Sequence, residues 1–145
     1  MRRLALVSLF CLGGLGVGVA QKVPTIDQSL EMRSVGAPQM SPDGKHVVYE
    51  QTRTNWDANA FETDLWLADV ATGEAHLLTT AVKSSNDAQW SPDGKWIAFL
   101  SDRVAPLDKS PAGKRQLYVI PANGGESQQL TKMESGVNGY EWAPD

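Results

Sequence analysis

Trp90-Ser91-Pro92-Asp93-Gly94-Lys95-Trp96-Ile97-Ala98-Phe99-Leu100 is a turn followed by a strand. Pro presets φ for the first central position of a type I turn. Asp suits the second, and Gly takes the left-handed residue that follows, which gives a short hairpin loop with a bulge. After the turn, apolar residues occupy both alternating faces, so both faces of this strand are expected to be covered. The same turn occurs 50 residues earlier as Ser41-Pro42-Asp43-Gly44-Lys45, followed by the similar strand Val47-Val48-Tyr49. A third start, Trp142-Ala143-Pro144-Asp145, lies 52 residues after Trp90. A second segment repeats independently: DLWLADVATGEAHLLT from Asp64 matches QLYVIPANGGESQQLT from Gln116, again 52 residues on.

Each unit reads as four strands. In the second, these are 86–90, 96–100, 117–120 and 127–130, with turns at Pro92-Asp93-Gly94 and Asn123-Gly124-Gly125. In the first unit, Thr72-Gly73-Glu74 replaces the latter turn. Four-stranded units at a 50–52 residue period predict an all-β fold, a β-propeller. A β-sandwich would not explain the fixed period. Blade 1 is placed at about 36–80, blade 2 at about 84–132 and the start of blade 3 at about 136–145, so about two and a half blades are present. Trp96, Phe99, Tyr49, Trp66 and Tyr118 are expected to pack between blades. Propellers have about 4–8 blades, and the chain stops at Asp145 inside a turn motif. It therefore reads as an N-terminal fragment, and residues 21–145 alone are not expected to fold stably.

Residues 1–20, MRRLALVSLFCLGGLGVGVA, read as a secretory signal peptide. Arg2-Arg3 is followed by an uncharged run, and small residues (Gly18, Ala20) precede a cut before Gln21. Cys11, the one cysteine, would leave with it, so no disulfide, thiolate metal site or Cys nucleophile is expected. Without Arg2 and Arg3 the basic residues fall from 13 to 11 against 17 acidic ones, a net charge of −6. An acidic chain without a basic stripe is a poor nucleic-acid binder. No membrane contact is expected after cleavage, and the compartment is periplasmic or extracellular. Residues 21–35 form a lead-in, with a short helix over 27–33.

No catalytic residue, cofactor or metal site is read from the chain. G-x-S-x-G is absent, so there is no nucleophile elbow. His46 aligns with Trp96 and His76 with Gln128, both as strand positions. Asp43 and Asp93 are expected to accept backbone N–H bonds within their turns. The first and third turns of each unit are tight, whereas the second loops, 53–63 and 103–114, read as long. One face of the disc would then be elaborated, and Trp56 and Phe61 are the apolar residues there that could meet a partner domain or substrate. Arg53 aligns with Arg103. Each could grip a peptide carboxylate, although an Asp102–Arg103 pair bracing the loop edge is the plainer reading of the second.

The run 32–44, MRSVGAPQMSPDG, together with Asp64-Leu65-Trp66, Leu78-Thr79, 90–95 and Ser101-Asp102-Arg103, resembles the opening of the propeller in secreted prolyl-oligopeptidase-family serine peptidases, in the acylaminoacyl- and dipeptidyl-peptidase branch. The likeness covers residues 27–145. It implies a propeller that screens substrates by size over a C-terminal α/β-hydrolase domain, outside this chain, with a Ser-Asp-His triad for peptide cleavage. The turn motif is also similar to that of TolB-like periplasmic propellers, which would bind other proteins without catalysis, and of propellers fused to amidohydrolases.

Overall fold

A computed structural model describes residues 23–80, 83–103 and 113–144. The leader reading of 1–20, Cys11, most of the 103–114 loop and Asp145 lie outside the described residues. The chain forms helix α1 (Ile26–Leu30) and two four-stranded antiparallel sheets. The first has β1 (Ser34–Met40), β2 (His46–Asn55), β3 (Ala60–Asp69) and β4 (Ala75–Leu77) in sequence order. The second repeats it with β5 (Ser85–Trp90), β6 (Trp96–Ser101), β7 (Gln116–Pro121) and β8 (Gln128–Gln129). These are two propeller blades.

The repeated turn is closed by its own side chains. Gly44 N–H donates to the Ser41 carbonyl and Gly94 N–H to that of Ser91, each at 2.9 Å. Both glycines have positive φ, 72° and 69°, which a side chain would resist. Asp93 Oδ1 accepts the Ser91 hydroxyl at 2.6 Å and Lys95 N–H at 3.1 Å, while Ser91 Oγ accepts Trp96 N–H at 2.9 Å. Asp43, Ser41 and His46 do the same in blade 1. The expected role of the two aspartates is therefore what they do.

A second device sits beside strand three. Thr79 Oγ1 accepts Leu65 N–H at 3.0 Å, and Thr131 Oγ1 accepts Leu117 N–H at 2.9 Å. A hydroxyl here fills the place of a backbone carbonyl where the short outer strand ends. A third recurs in the inner strands. Ala37 and Asp87 adopt positive φ, 47° and 57°, where the β1–β2 and β5–β6 registers shift. These are bulges, and they bend the strand.

The core lies between the blades. Val48, Leu65 and Leu67 of the first sheet meet Ile97, Phe99, Tyr118 and Ile120 of the second, all buried. Phe99 stacks on Tyr118 with centroids 5.7 Å apart. On β6, residues 97–101 are buried throughout, as expected of a strand covered on both faces. On β2 only Val48 is buried; Val47 and Tyr49, on the opposite face, are half-buried. Trp90 Nε1 donates to the Gln39 carbonyl of blade 1 at 3.0 Å. Trp142 Nε1 donates in the same way to Gln89 of blade 2 at 3.3 Å, so the third start takes its place against the second blade.

Three boundaries differ from the sequence reading. The loop expected at 53–63 is a hairpin: β2 and β3 pair without a break from His46↔Asp69 to Asn55↔Ala60, leaving a connection of only 56–59. Polar cross-strand pairs hold this extension. The hydroxyls of Thr52 and Thr63 are 2.8 Å apart, and Arg53 meets Glu62 at 2.8 Å. Hydrophobic alternation could not signal it. The lead-in helix is Ile26–Leu30 rather than 27–33, because Ser34 is already drawn into pairing with Thr52. Its start carries a capping box between Thr25 and Gln28. The fourth strand of blade 2 is only Gln128–Gln129.

Phe99→Ala should lower stability by about 3–5 kcal/mol, since it empties the centre of the inter-blade core; chemical denaturation of the full-length protein measures this. The Asp93 carboxyl, held down first by the Ser91 hydroxyl and then by Lys95 N–H, should titrate at about 2 against an ordinary 3.8. Its stabilising effect is full above the ordinary value and disappears as pH falls through about 2. A carboxyl NMR titration with an unshifted midpoint for Asp93 contradicts the turn geometry.

Candidate functional site

The extended β2–β3 hairpin is the most elaborated feature among the described residues. Its strands have ten residues each, against six in β6 and β7. Side chains alternate along it. Thr52, Thr54, Phe61 and Thr63 share one face, and Arg53, Asn55, Glu62 and Asp64 share the other.

At the tip, Asn55 Oδ1 accepts Ala58 N–H at 3.1 Å and closes the turn. Trp56 and Phe61 are 56% and 68% exposed. With Leu30 of α1, Thr54 and Asn59 they border an open groove of about 220 Å³. Thr54 Oγ1 donates to the Leu30 carbonyl and ties the helix end to the hairpin. The two aromatic residues thus stand, partly exposed, at the end of the paired ribbon. Leu30 was not anticipated as a neighbour; its proximity depends on how the lead-in folds back, which no local sequence pattern encodes.

On the other face Arg53 is occupied. Its guanidinium lies 2.8 Å from Glu62 Oε2 and 3.6 Å from Asp64 Oδ2. Asn55 Nδ2 donates to the second Glu62 oxygen at 2.8 Å. Burial pushes the Asp64 carboxyl up, against the pull of Arg53. A peptide carboxylate reaching Arg53 would have to displace Glu62, which is nearly buried. Glu62 and Asp64 went unmarked in the sequence. The signal was their i, i+2 spacing opposite Arg53, visible only once both strands are extended.

Arg103 has different company. Its Nε donates to Ser101 Oγ at 3.0 Å, and its terminal nitrogens to Ser127 and Ser85 Oγ, both at 2.8 Å. The guanidinium lies 5.0 Å from the Phe99 ring centroid and 5.1 Å from that of Tyr118, a cation–π arrangement on both rings. Burial lowers its pKa. The expected Asp102–Arg103 pair is not formed: Asp102 Oδ1 is buried without a hydrogen-bond partner. Three hydroxyls and two ring faces seat the guanidinium instead of the adjacent carboxylate. Arg53 and Arg103 are thus aligned in sequence yet make different direct contacts, with Asp64 within electrostatic range of both.

The histidines stand as strand residues. His46 begins β2, 3.9 Å from Asp69 and with its ring 6.5 Å from that of Trp90. His76 is exposed on β4. The hairpin thus presents exposed aromatic surface on one face and, on the other, a cluster of one guanidinium and two carboxylates.

Residues 41–104 match the family described as the dipeptidyl peptidase IV (DPP IV) N-terminal region. The chain is 34% identical over 125 residues to an uncharacterized peptidase, YuxL, of Bacillus subtilis (strain 168). The match takes in 86% of this chain and 18% of that protein, so the chain spans under a fifth of its relative's length. Among solved structures, the acylaminoacyl peptidase of Pyrococcus horikoshii aligns with a TM-score of 0.54 at 18% identity, over 72% of this chain and 15% of the other. That likeness shows the fold alone. A putative TolB from Agrobacterium tumefaciens aligns with a TM-score of 0.51 at 27% identity, over 67% of this chain and 30% of the other. Sequence and blade architecture together identify the chain as an N-terminal propeller segment of the prolyl-oligopeptidase family of peptidases.

Proposed function

We propose that this chain is the propeller part of an exported serine peptidase, in which the ring screens peptides by size before they reach an α/β-hydrolase domain carrying Ser, Asp and His. The observation that carries this reading is the likeness to YuxL, which runs through both blades and is stronger than the likeness to putative TolB. Export rests on the N-terminal run of Arg2-Arg3, uncharged residues and small residues before Gln21. A closed ring of stiff blades restricts passage without chemistry of its own, which suits a segment in which no catalytic group is assigned.

Within this reading the β2–β3 hairpin has a task. Its strands outrun those of blade 2 by four residues, or about 13 Å at the usual rise. Trp56 and Phe61 at its end meet the hydrolase domain or the peptide. The TolB likeness favours a second reading, a propeller that binds envelope proteins and has no peptidase domain.

Two measurements test the proposal. The full-length protein should react with a fluorophosphonate serine-hydrolase probe, and its exported form should begin at Gln21 by mass spectrometry. Absence of labelling with intact folding supports the TolB-like reading instead. Trp56→Ala should reduce kcat/KM for peptide substrates about tenfold while stability shifts by less than about 0.5 kcal/mol, as for other exposed positions. Unchanged activity removes the hairpin from the mechanism.

A further inference from the structure

The two blades differ along the outer edge of strand three. In blade 2 the threonine cap sits almost at the strand's start: Leu117 N–H donates to Thr131 Oγ1, and only Gln116 of β7 precedes it. In blade 1 the equivalent cap is at Leu65, whose N–H meets Thr79 Oγ1 and whose carbonyl accepts Leu78 N–H. Yet β3 begins five residues earlier, at Ala60, while β4 pairs only with Trp66, Leu67 and Ala68.

An antiparallel strand turns the backbone groups of successive residues to alternate sides. Those of Leu65 point away from β2, and those of Thr63 and Phe61 follow the same phase. Thr63 N–H donates to Ser84 Oγ at 3.2 Å. The Thr63 carbonyl and both outward backbone groups of Phe61 have no partner among the described residues. The opposite edge of the ribbon is covered by the lead-in: Ser34 pairs with Thr52, and the Thr54 hydroxyl donates to the Leu30 carbonyl. The ribbon therefore has one open edge, with Phe61 in it beside the groove bordered by Leu30 and Trp56.

The surroundings are acidic. Residues 27–33 and 52–64 carry five acidic and two basic side chains. Both basic ones are engaged, Arg33 with Gln51 and Arg53 with Glu62 and Asp64. No basic side chain meets Asp27, Glu31 or Asp57 among the described residues.

We infer that the Phe61–Thr63 edge of β3 takes up an extended, cationic peptide as an added strand. In an antiparallel arrangement, the peptide residue opposite Phe61 exchanges two backbone hydrogen bonds with it, and the residue two positions earlier gives its N–H to the Thr63 carbonyl. The side chain opposite Phe61 lies against that ring, on the face of the groove. Lysine or arginine elsewhere in the peptide meets the uncompensated carboxylates. The same charge opposes edge-to-edge pairing with a second copy of this chain. This assignment rests on the peptidase reading above, which supplies the peptide.

Fluorescence anisotropy with an acetylated, fluorescein-labelled peptide, Lys-Thr-Val-Phe-Val-Thr-Lys, tests it on the full-length protein, treated beforehand with a fluorophosphonate to prevent cleavage. N-methylation along the peptide should weaken binding at least fivefold at alternate residues and leave those between them unaffected, because an added strand turns every second N–H to the protein. Phe61→Ala removes the ring, and Phe61→Pro removes both the ring and an N–H that the sheet does not use. The proline variant should bind about fivefold more weakly than the alanine variant, the scale of one hydrogen bond, with circular dichroism unchanged in both. The peptide with glutamates in place of its lysines should bind at least tenfold more weakly at low salt. A uniform response to N-methylation, or equal affinities of the alanine and proline variants, overturns strand addition, and equal affinity of the glutamate peptide overturns the cationic preference. Absence of peptide binding also overturns the inference: dimerisation that Phe61→Pro abolishes then assigns the edge to a second copy, and a monomer assigns it to another part of the chain. Fluorophosphonate labelling without peptide binding removes this inference and leaves the peptidase reading standing; peptide binding without labelling does the reverse.

Discussion

Burial of one sheet's side chains against the next holds the described structure together. Neither blade has a core of its own, since a four-stranded sheet has two faces and no inside. Val48, Leu65 and Leu67 become buried only because Ile97, Phe99, Tyr118 and Ile120 stand opposite. Full burial of such side chains is worth about 1.5–3 kcal/mol each, so the joint supplies most of the stabilisation that either sheet can gain. The hydrogen bonds of the turns, the threonine caps and the indole bonds refine its geometry. Val47 and Tyr49, on the other face of the first sheet, are half-buried.

Most of this architecture was legible in the residues. The Ser-Pro-Asp-Gly turn fixes a left-handed glycine, and its recurrence fixes the period; together they specify strands one and two of every blade. The run Ile97-Ala98-Phe99-Leu100 announces a strand covered on both sides. The hairpin over 46–69 was partly hidden, because Thr52, Arg53, Glu62 and Thr63 pair through polar groups and break the apolar alternation that marks a strand. Residues of this kind look like a loop until the partner strand is known.

The candidate site was less legible for the same reason. Trp56 and Phe61 were recognisable as apolar residues in a polar stretch, but their place at the end of a ribbon beside Leu30 follows from pairing between distant residues. Arg53 and Arg103 illustrate the limit of alignment between repeats. Equivalent backbone positions gave one arginine two carboxylates and the other three hydroxyls and two rings, because their surroundings come from non-equivalent residues: Glu62 and Asp64 in one case, Ser85 and Ser127 in the other.

The self-contained turn has a consequence for how such a molecule can grow. Every bond that shapes it, from Ser91 to Trp96, is made among six consecutive residues. A duplicated gene segment therefore delivers a finished corner wherever it is inserted, and natural selection has only the surfaces between copies left to adjust. Rings of different circumference can in principle be assembled from one such unit.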